Sequence, residues 1–286
     1  MTTCWGVRGI PKTPATYIET SSVLGSRVME IGFAEVHVWT FPLRVNESEL
    51  ADLEAALMPD EIARADRFLG ADLRKHFVVA RGRLRRLLGS YLGIGAAEIR
   101  FDYGEWGKPR LTNRPLGNGS PESIHFNLSH SGGEAAIAIS RYPVGVDLEV
   151  AHPRTNHRAV RSQILSADEE TAWQEMRTSQ PDLETMRLWI CKEAFLKATG
   201  LGIAEGLRKV DFPLPIPTGE AFQPKKIDGS LQLHLEEDPS CSRNAWLAPE
   251  TWRLNVLDSG PKRYLAVCHA RSETEVVHRT DWPLTA

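Results

Sequence analysis

Three acidic residues carry the first chemical signal. In Val146-Asp147-Leu148-Glu149, two carboxylates stand two positions apart within a β-branched, apolar run. The period of a strand puts both on one face and leaves Val146 and Leu148 on the other. Like charges so close repel each other and raise one pKa unless a cation neutralises them. A hard divalent ion does this well, since Mg2+ takes a few carboxylates together with substrate phosphates. An edge strand showing two solvated acids is the plainer alternative. Glu193 is the third acid and shares a helix stripe with Met186 and Ile190, so it lies against apolar neighbours and needs a partner. Lys197, four residues on, supplies one as an ordinary helix pair. Joined with Asp147 and Glu149, Glu193 would instead complete a three-carboxylate site.

A second group of residues suits phosphate. Phe126-Asn127-Leu128-Ser129-His130-Ser131-Gly132-Gly133 is a strand running into a turn that offers hydroxyls, an imidazole and two permissive glycines. Ser129 and His130 make a poor nucleophile and base, because adjacent residues of an extended chain point apart and no G-x-S-x-G elbow surrounds the serine. An ordinary hairpin turn remains the alternative. Residues 62–86 hold eight Arg and Lys against two acids, a net of +6. Spread along helices, a few of these could hold a polyanion through planar Arg forks, although such a run is usually a solvated face. Gly107-Lys108-Pro109 adds one cation on a stiff turn.

The whole chain gives these clusters a neutral background. Its 286 residues carry 34 basic and 37 acidic side chains, a net of −3, too balanced for bulk nucleic-acid binding. Four dispersed cysteines (Cys4, Cys191, Cys241, Cys268) contain no C-x-x-C pair and suit a reducing cytosol. No stretch reaches the ~18 apolar residues of a membrane span. Residues 1–30 lack the charged and apolar regions of a secretory signal. The expectation is a soluble cytoplasmic protein that engages neither membrane nor nucleic acid.

The elements that position the clusters fall into two series. In the first, a strand at 34–41 is followed by a helix opened by Asn46 and Glu49, a short helix after Pro59, a long helix over 72–91, and strands at 98–103, 123–128 and 135–140. In the second, a strand at 144–150 leads to a helix opened by Ser166 and Glu169 and a helix over 183–198 stopped by Gly200. Strands near 209–212, 231–236, 252–257 and 264–269 follow. Residues 77–101 and 188–212 resemble each other: an apolar helix, a Gly-rich turn and a strand ending in Phe. The expectation is an α+β fold made by pseudo-twofold duplication of a β-α-β-β-β unit, with its active site between the halves. The expected divisions are a mobile extension at 1–33, an N-terminal lobe at 34–142, a C-terminal lobe at 143–272 and a tail at 273–286.

Read in order, GKP, FNLSHSG, GVDLE and WICKEAFLKATGLG resemble the 4'-phosphopantetheinyl transferase superfamily, in its two-lobed, surfactin-synthetase-activating branch. The resemblance covers about residues 35 to 270. It implies transfer of the 4'-phosphopantetheine arm of coenzyme A to a serine of an apo acyl or peptidyl carrier protein, with release of adenosine 3',5'-bisphosphate. It implies Asp147, Glu149 and Glu193 as ligands of Mg2+, with Mn2+ as the alternative ion. Glu193 would also act as general base, and Lys197 would sit near the pyrophosphate. Ser129, His130 and Lys108 would hold the 3'-phosphate, and Arg64, Arg67, Arg74 and Arg81 would be the upstream coenzyme A contacts. The enzyme would be monomeric. The carrier would meet an apolar groove with a basic rim, for which 151–161 is a candidate, a solvated linker being the other reading. Two rival functions remain: a metal-dependent nucleotide pyrophosphate hydrolase, and a non-enzymatic nucleic-acid- or partner-binding module using 62–86.

Overall fold

The computed structural model describes residues 28–104, 106–112, 124–201, 206–231, 247–260, 262–270 and 274–280. Strand β1 (Glu35–Pro42) leads into helices α1 (Glu47–Glu54), α2 (Pro59–Ala65) and α3 (Ala71–Leu92). After a short 3-10 turn come the ribbon β2 (Phe101–Tyr103) and β3 (Pro109–Leu111), then the hairpin β4 (His125–Ser131) and β5 (Glu134–Ser140). Strand β6 (Val144–Val150) begins again, followed by helices α4 (His157–Ile164), α5 (Ala167–Glu175) and α6 (Pro181–Thr199). The ribbon β7 (Val210–Asp211) and β8 (Lys226–Ile227), the hairpin β9 (Trp252–Leu257) and β10 (Arg263–Ala270), and β11 (Glu275–Arg279) complete the order.

One sheet runs β11-β1-β5-β4 and the other β6-β10-β9. All pairings are antiparallel except β1 with β11. The inner strands are covered on both sides. Trp39, Phe41, Ile137 and Ile139 face α3, while Val36, Val38, Ala136 and Ala138 meet Val144, Val146, Leu148, Leu265 and Val267 of the other sheet. A strand buried on both faces reads as a continuous apolar run, which explains why alternation is weak in these segments.

The sheets also meet along β4 and β6. Asn127 Oδ1, Ser129 Oγ and Ser131 Oγ accept hydrogen bonds from the backbone N–H groups of Val146 (2.9 Å), Leu148 (3.2 Å) and Val150 (3.2 Å). Alternate side chains of one strand thus serve alternate amides of the next, in parallel register. Polar residues are needed here because these amides lie where strand pairing does not reach them.

Each long helix is tied down by a buried charge. Glu61 accepts from the Met58 N–H at the start of α2, and its oxygens receive Arg81 Nε (2.5 Å) and Arg85 Nε (2.6 Å) from α3. Arg85 also donates to the Ala96 and Ile99 carbonyls. In the second series, Glu169 closes the capping box with Ser166 and receives Lys192 Nζ at 2.6 Å. Lys192 further donates to Ile164, Leu207 and Val210 carbonyls. Burial pushes the Glu169 pKa up and the Lys192 pKa down, so the surrounding carbonyls are what make the ammonium tolerable.

The structure differs from the sequence reading in several places. The expected strand at 98–103 is mostly replaced by a 3-10 turn, and only Phe101–Tyr103 is extended. Helix α1 stops at Glu54, and only half of its capping box forms, since Glu49 turns its carboxylate to Arg83. Residues 157–164, within and beyond the candidate rim loop, form α4, whose apolar stripe Val160 and Ile164 packs on the second core while its other face is polar. Lys226–Ile227 pairs with β7 where only a loop was expected. Residues 275–279, read as tail, form β11 on the first sheet, and Met29 and Ile31 of the presumed extension enter the first core. The strand expected at 231–236 lies outside the described residues apart from Leu231, as does most of the loop at 112–123.

Glu61→Ala strands two buried arginines, and we expect a loss of about 3–5 kcal/mol, read as a lower urea midpoint. Burial also pushes the His37 pKa down to about 4, helped by Arg279, and that of His269 down to about 4. In the unfolded chain both titrate near 6.5. Between pH 6.5 and 4 the unfolded state therefore binds more protons, so stability falls as pH drops through that window. The raised carboxylates Glu193, Glu149 and Glu169 act in the opposite sense, so the check is a difference: in calorimetry at pH 7.5, 6 and 5, wild type should lose more Tm on acidification than His269→Gln.

Candidate active site

Asp147 and Glu149 both leave β6 on the face away from the shared apolar core, as the two-residue spacing requires. What brings Glu193 to them is Gly145. A Cβ there would stand 2.1 Å from the Ala194 carbonyl oxygen and 2.3 Å from the Ala198 nitrogen, so α6 lies directly on the β6 backbone. No other residue allows that approach. It places Glu193 and Lys197, one turn apart, over Asp147.

The polar groups there form a tight, incomplete network. Lys197 Nζ lies 2.5 Å from Asp147 Oδ1, 3.6 Å from Glu193 Oε2 and 3.0 Å from Ser129 Oγ. Ser129 in turn donates to Asp147 Oδ1 at 3.0 Å and accepts from the Leu148 N–H. A hydroxyl has one hydrogen and two lone pairs, and all three are engaged. Ser131 donates to Glu149 Oε2 at 2.7 Å. Against one ammonium stand three carboxylates. Asp147 Oδ2 and Glu193 Oε1 are buried and meet no hydrogen-bond partner among the described residues.

Such crowding shows in the acidities. Glu193 is raised to about 7, chiefly by burial and then by Asp147, with Lys197 opposing. Burial likewise raises Glu149, against the Ser131 hydrogen bond. His130 stands at the rim with one side pressed to the protein; that partial desolvation, with Lys197 and His76 nearby, lowers its pKa.

These features test whether the residues suit a metal. Two orphaned, buried carboxylate oxygens and two raised pKa values are what a site short of positive charge displays. The donors are all hard oxygens, fitting Mg2+ rather than a soft ion. Among the described residues, no three His, Cys, Asp or Glu side chains form a ready-made metal cage.

The expected cations separate into two kinds. Of the eight in 62–86, five are bound to carboxylates: Arg74 to Glu54 and Asp66, Lys75 to Glu47, Arg81 and Arg85 to Glu61, and Arg83 to Glu49. Arg81 is buried, stacked on Phe101, and also reaches the Tyr103 hydroxyl. Arg64 and Arg67 remain exposed on the corner between α2 and α3. Lys108 crosses from the β2–β3 ribbon to the second series, donating to the carbonyls of Ala198 (2.8 Å) and Val144 (3.3 Å). The structure thus gathers Asp147, Glu149, Glu193, Lys197, Ser129 and His130, brings Lys108 to the end of α6, and leaves the four arginines on the first lobe. The sequence reading missed Gly145 and Ser131. The Gly in GVDLE was the available signal for the first; alternation with Asn127 and Ser129 was the signal for the second.

The chain is similar to known proteins over most of its length. A family model described as 4'-phosphopantetheinyl transferase superfamily matches residues 143–254, and one described as 4'-phosphopantetheinyl transferase, N-terminal, matches 44–141. Among relatives, the 4'-phosphopantetheinyl transferase HetI of Nostoc sp. is 37% identical over 77% of this chain and 90% of its own length. A putative 4'-phosphopantetheinyl transferase of Synechocystis sp. is 30% identical over 80% and 91%. The 4'-phosphopantetheinyl transferase Sfp of Bacillus subtilis is 26% identical over 57% and 68%. No helix among the described residues is long and apolar enough to cross a membrane. With family models matching residues 44–141 and 143–254 and HetI spanned over 90% of its length, this chain belongs to the 4'-phosphopantetheinyl transferase superfamily.

Proposed function

We propose that this protein transfers the 4'-phosphopantetheine arm of coenzyme A to a serine hydroxyl of an apo acyl or peptidyl carrier protein, releasing adenosine 3',5'-bisphosphate. The observation that carries the reading is the buried Asp147–Glu193 pair, each with an orphaned oxygen, beneath Lys197. Asp147, Glu149 and Glu193 would hold Mg2+, which when bound neutralises pyrophosphate oxygens and clamps them. Mn2+ is the alternative ion.

The chain's own groups have separate tasks. Glu193, ionised once the cation is bound, is assigned to take the serine proton. The serine oxygen bonds to the β-phosphorus as the pyrophosphate P–O bond breaks, and the bisphosphate leaves with the electron pair. Lys197 offsets the charge growing on that leaving group. His130 at the rim is assigned to the 3'-phosphate; Lys108, tied to the Val144 and Ala198 carbonyls, lies toward the other end of β6 and is not brought to it. Ser129, whose hydrogen-bonding capacity is already used, positions Asp147 and Lys197. Phosphoryl transfer leaves a protein mainly positioning and charge neutralisation, so no enzyme nucleophile is needed.

We further propose that residues 34–142 and 143–272 are two copies of one unit. Several equivalences support this. Strands β1-β5-β4 and β6-β10-β9 share order and direction. Helices α3 and α6 both end at a left-handed glycine, Gly93 and Gly200. Arg85 and Lys192 each stand eight residues before that glycine, each bound to the capping glutamate of the preceding helix. A monomeric, cytoplasmic enzyme follows from this reading, its site completed by one chain.

Incubation with coenzyme A, Mg2+ and an apo carrier protein should add about 340 Da to the carrier, read by intact-protein mass spectrometry. Glu193→Gln should lower kcat by at least 100-fold with coenzyme A affinity within a few-fold; full turnover in that variant would refute the assignment of the base. Cation binding favours the ionised carboxylates, so protons must leave when it binds. Because Glu193 and Glu149 are raised, Mg2+ titration should release more protons at pH 6 than at pH 8.5, and fewer in Glu193→Gln, as measured by calorimetry in buffers of different ionisation enthalpy.

A further inference from the structure

Six large apolar side chains of the described residues are exposed, and three of them, Phe68, Leu69 and Leu73, lie within six positions at the corner between α2 and α3. Leu69 is fully exposed at 105%, Leu73 at 56% and Phe68 at 40%. Single exposed leucines are ordinary, but a cluster of this kind marks a place where something docks. The corner is also held in shape. The Phe68 ring lies 5.5 Å from that of Phe77, and the Arg64 guanidinium sits 5.6 Å above the Phe77 ring.

Its place relative to the active site is defined by α3. Leu73 and His76 are one turn apart on that helix and share a face. His76 Cε1 lies 3.9 Å from where a Cβ on Gly133 would stand, in the β4–β5 turn three residues beyond His130. His76 and Lys197 are also the two charged groups that act on His130. The apolar corner therefore borders the rim that leads down past His130 to Lys197 and Glu193.

Charge narrows the occupant. Three acids near the corner are paired, Glu54 and Asp66 with Arg74 and Glu47 with Lys75, while Asp72 is exposed beside Leu73 and sets one negative charge against Arg64 and Arg67. Arg64 and Arg67 have no carboxylate partner among the described residues. An apolar patch edged by two uncommitted arginines is complementary to a protein surface of apolar side chains flanked by carboxylates. We propose that the Phe68–Leu69–Leu73 corner is the docking surface for the acceptor protein, gripping it beside its serine so that the hydroxyl enters past His130. This rests on the transfer reaction proposed above and adds where its protein substrate binds.

The test is steady-state transfer to a purified apo carrier protein by the full-length enzyme and by Leu69→Asp and Leu73→Asp, whose exposed positions leave the fold intact by melting curve. Expected is a rise of at least tenfold in KM for the carrier, with KM for coenzyme A and the saturating kcat within twofold. A photo-crosslinker at position 69 should then capture the carrier. Unchanged carrier KM in both variants overturns the surface while the reaction stands. Equal loss of coenzyme A affinity also overturns it, placing the corner in the nucleotide site. Crosslinks to residues 1–27 or to a second copy, with none to the carrier, overturn it in favour of those occupants. A wild-type enzyme that binds coenzyme A yet modifies no carrier overturns the reaction and this surface together.

Discussion

A buried carboxylate demands a counter-charge, and the centre of this molecule is organised around that demand at Asp147. Removed from water in the middle of β6, it takes Lys197 on one oxygen, and the other meets no partner among the described residues. Everything nearby serves that contact. Gly145 lets α6 settle close enough for the lysine to reach, Ser129 fixes carboxylate and ammonium together, and the same helix turn brings in Glu193. The net local charge stays negative, and an internal cation four residues away cannot cancel three acids. A site that keeps such an imbalance while folded is prepared for positive charge from outside.

The arginine-rich segment shows the opposite economy. Read as a string, 62–86 is a positive patch; folded, most of its cations face inward onto carboxylates of α1 and α2. Two buried arginines share one glutamate, and aromatic rings lie beneath their guanidinium planes. These charges fasten three helices of one lobe. A polyanion-binding module would have to break those pairs, so the segment does not support non-enzymatic nucleic-acid binding.

Much of this was legible in the residues. Helices α3 and α6 and strand β6 were placed to within two residues: β6 by its alternation, α6 by a long apolar run stopped at Gly200. The carboxylate pair on one face of β6 follows from its spacing alone. What could not be read were facts set by tertiary contact. The sequence does not say which cations find carboxylates, since the partners of Arg81 and Arg85 lie more than twenty residues away. Helix α4 is held by its Asn156 cap and by the stripe of Val160 and Ile164 against the core, its other face being polar. Strand β11 is five residues long and stable only because β1 offers it an edge. Ser129 looked like a ligand contact because its neighbours are His and Gly; only the geometry shows its hydroxyl already engaged.

The pairing of β11 with β1 also bears on how the molecule is made. Glu35 opposes Glu275, so the first sheet is completed by residues synthesised about 240 positions later. During translation the first lobe emerges with an open edge on β1, and that edge is occupied only after the second lobe has left the ribosome. Loop closure over so long a span is slow compared with hairpin formation, which makes this ladder a late step in vectorial folding. Strand β11 thus fastens β1 across about 240 positions, and the sheet that backs the basic helices is completed from beyond β10.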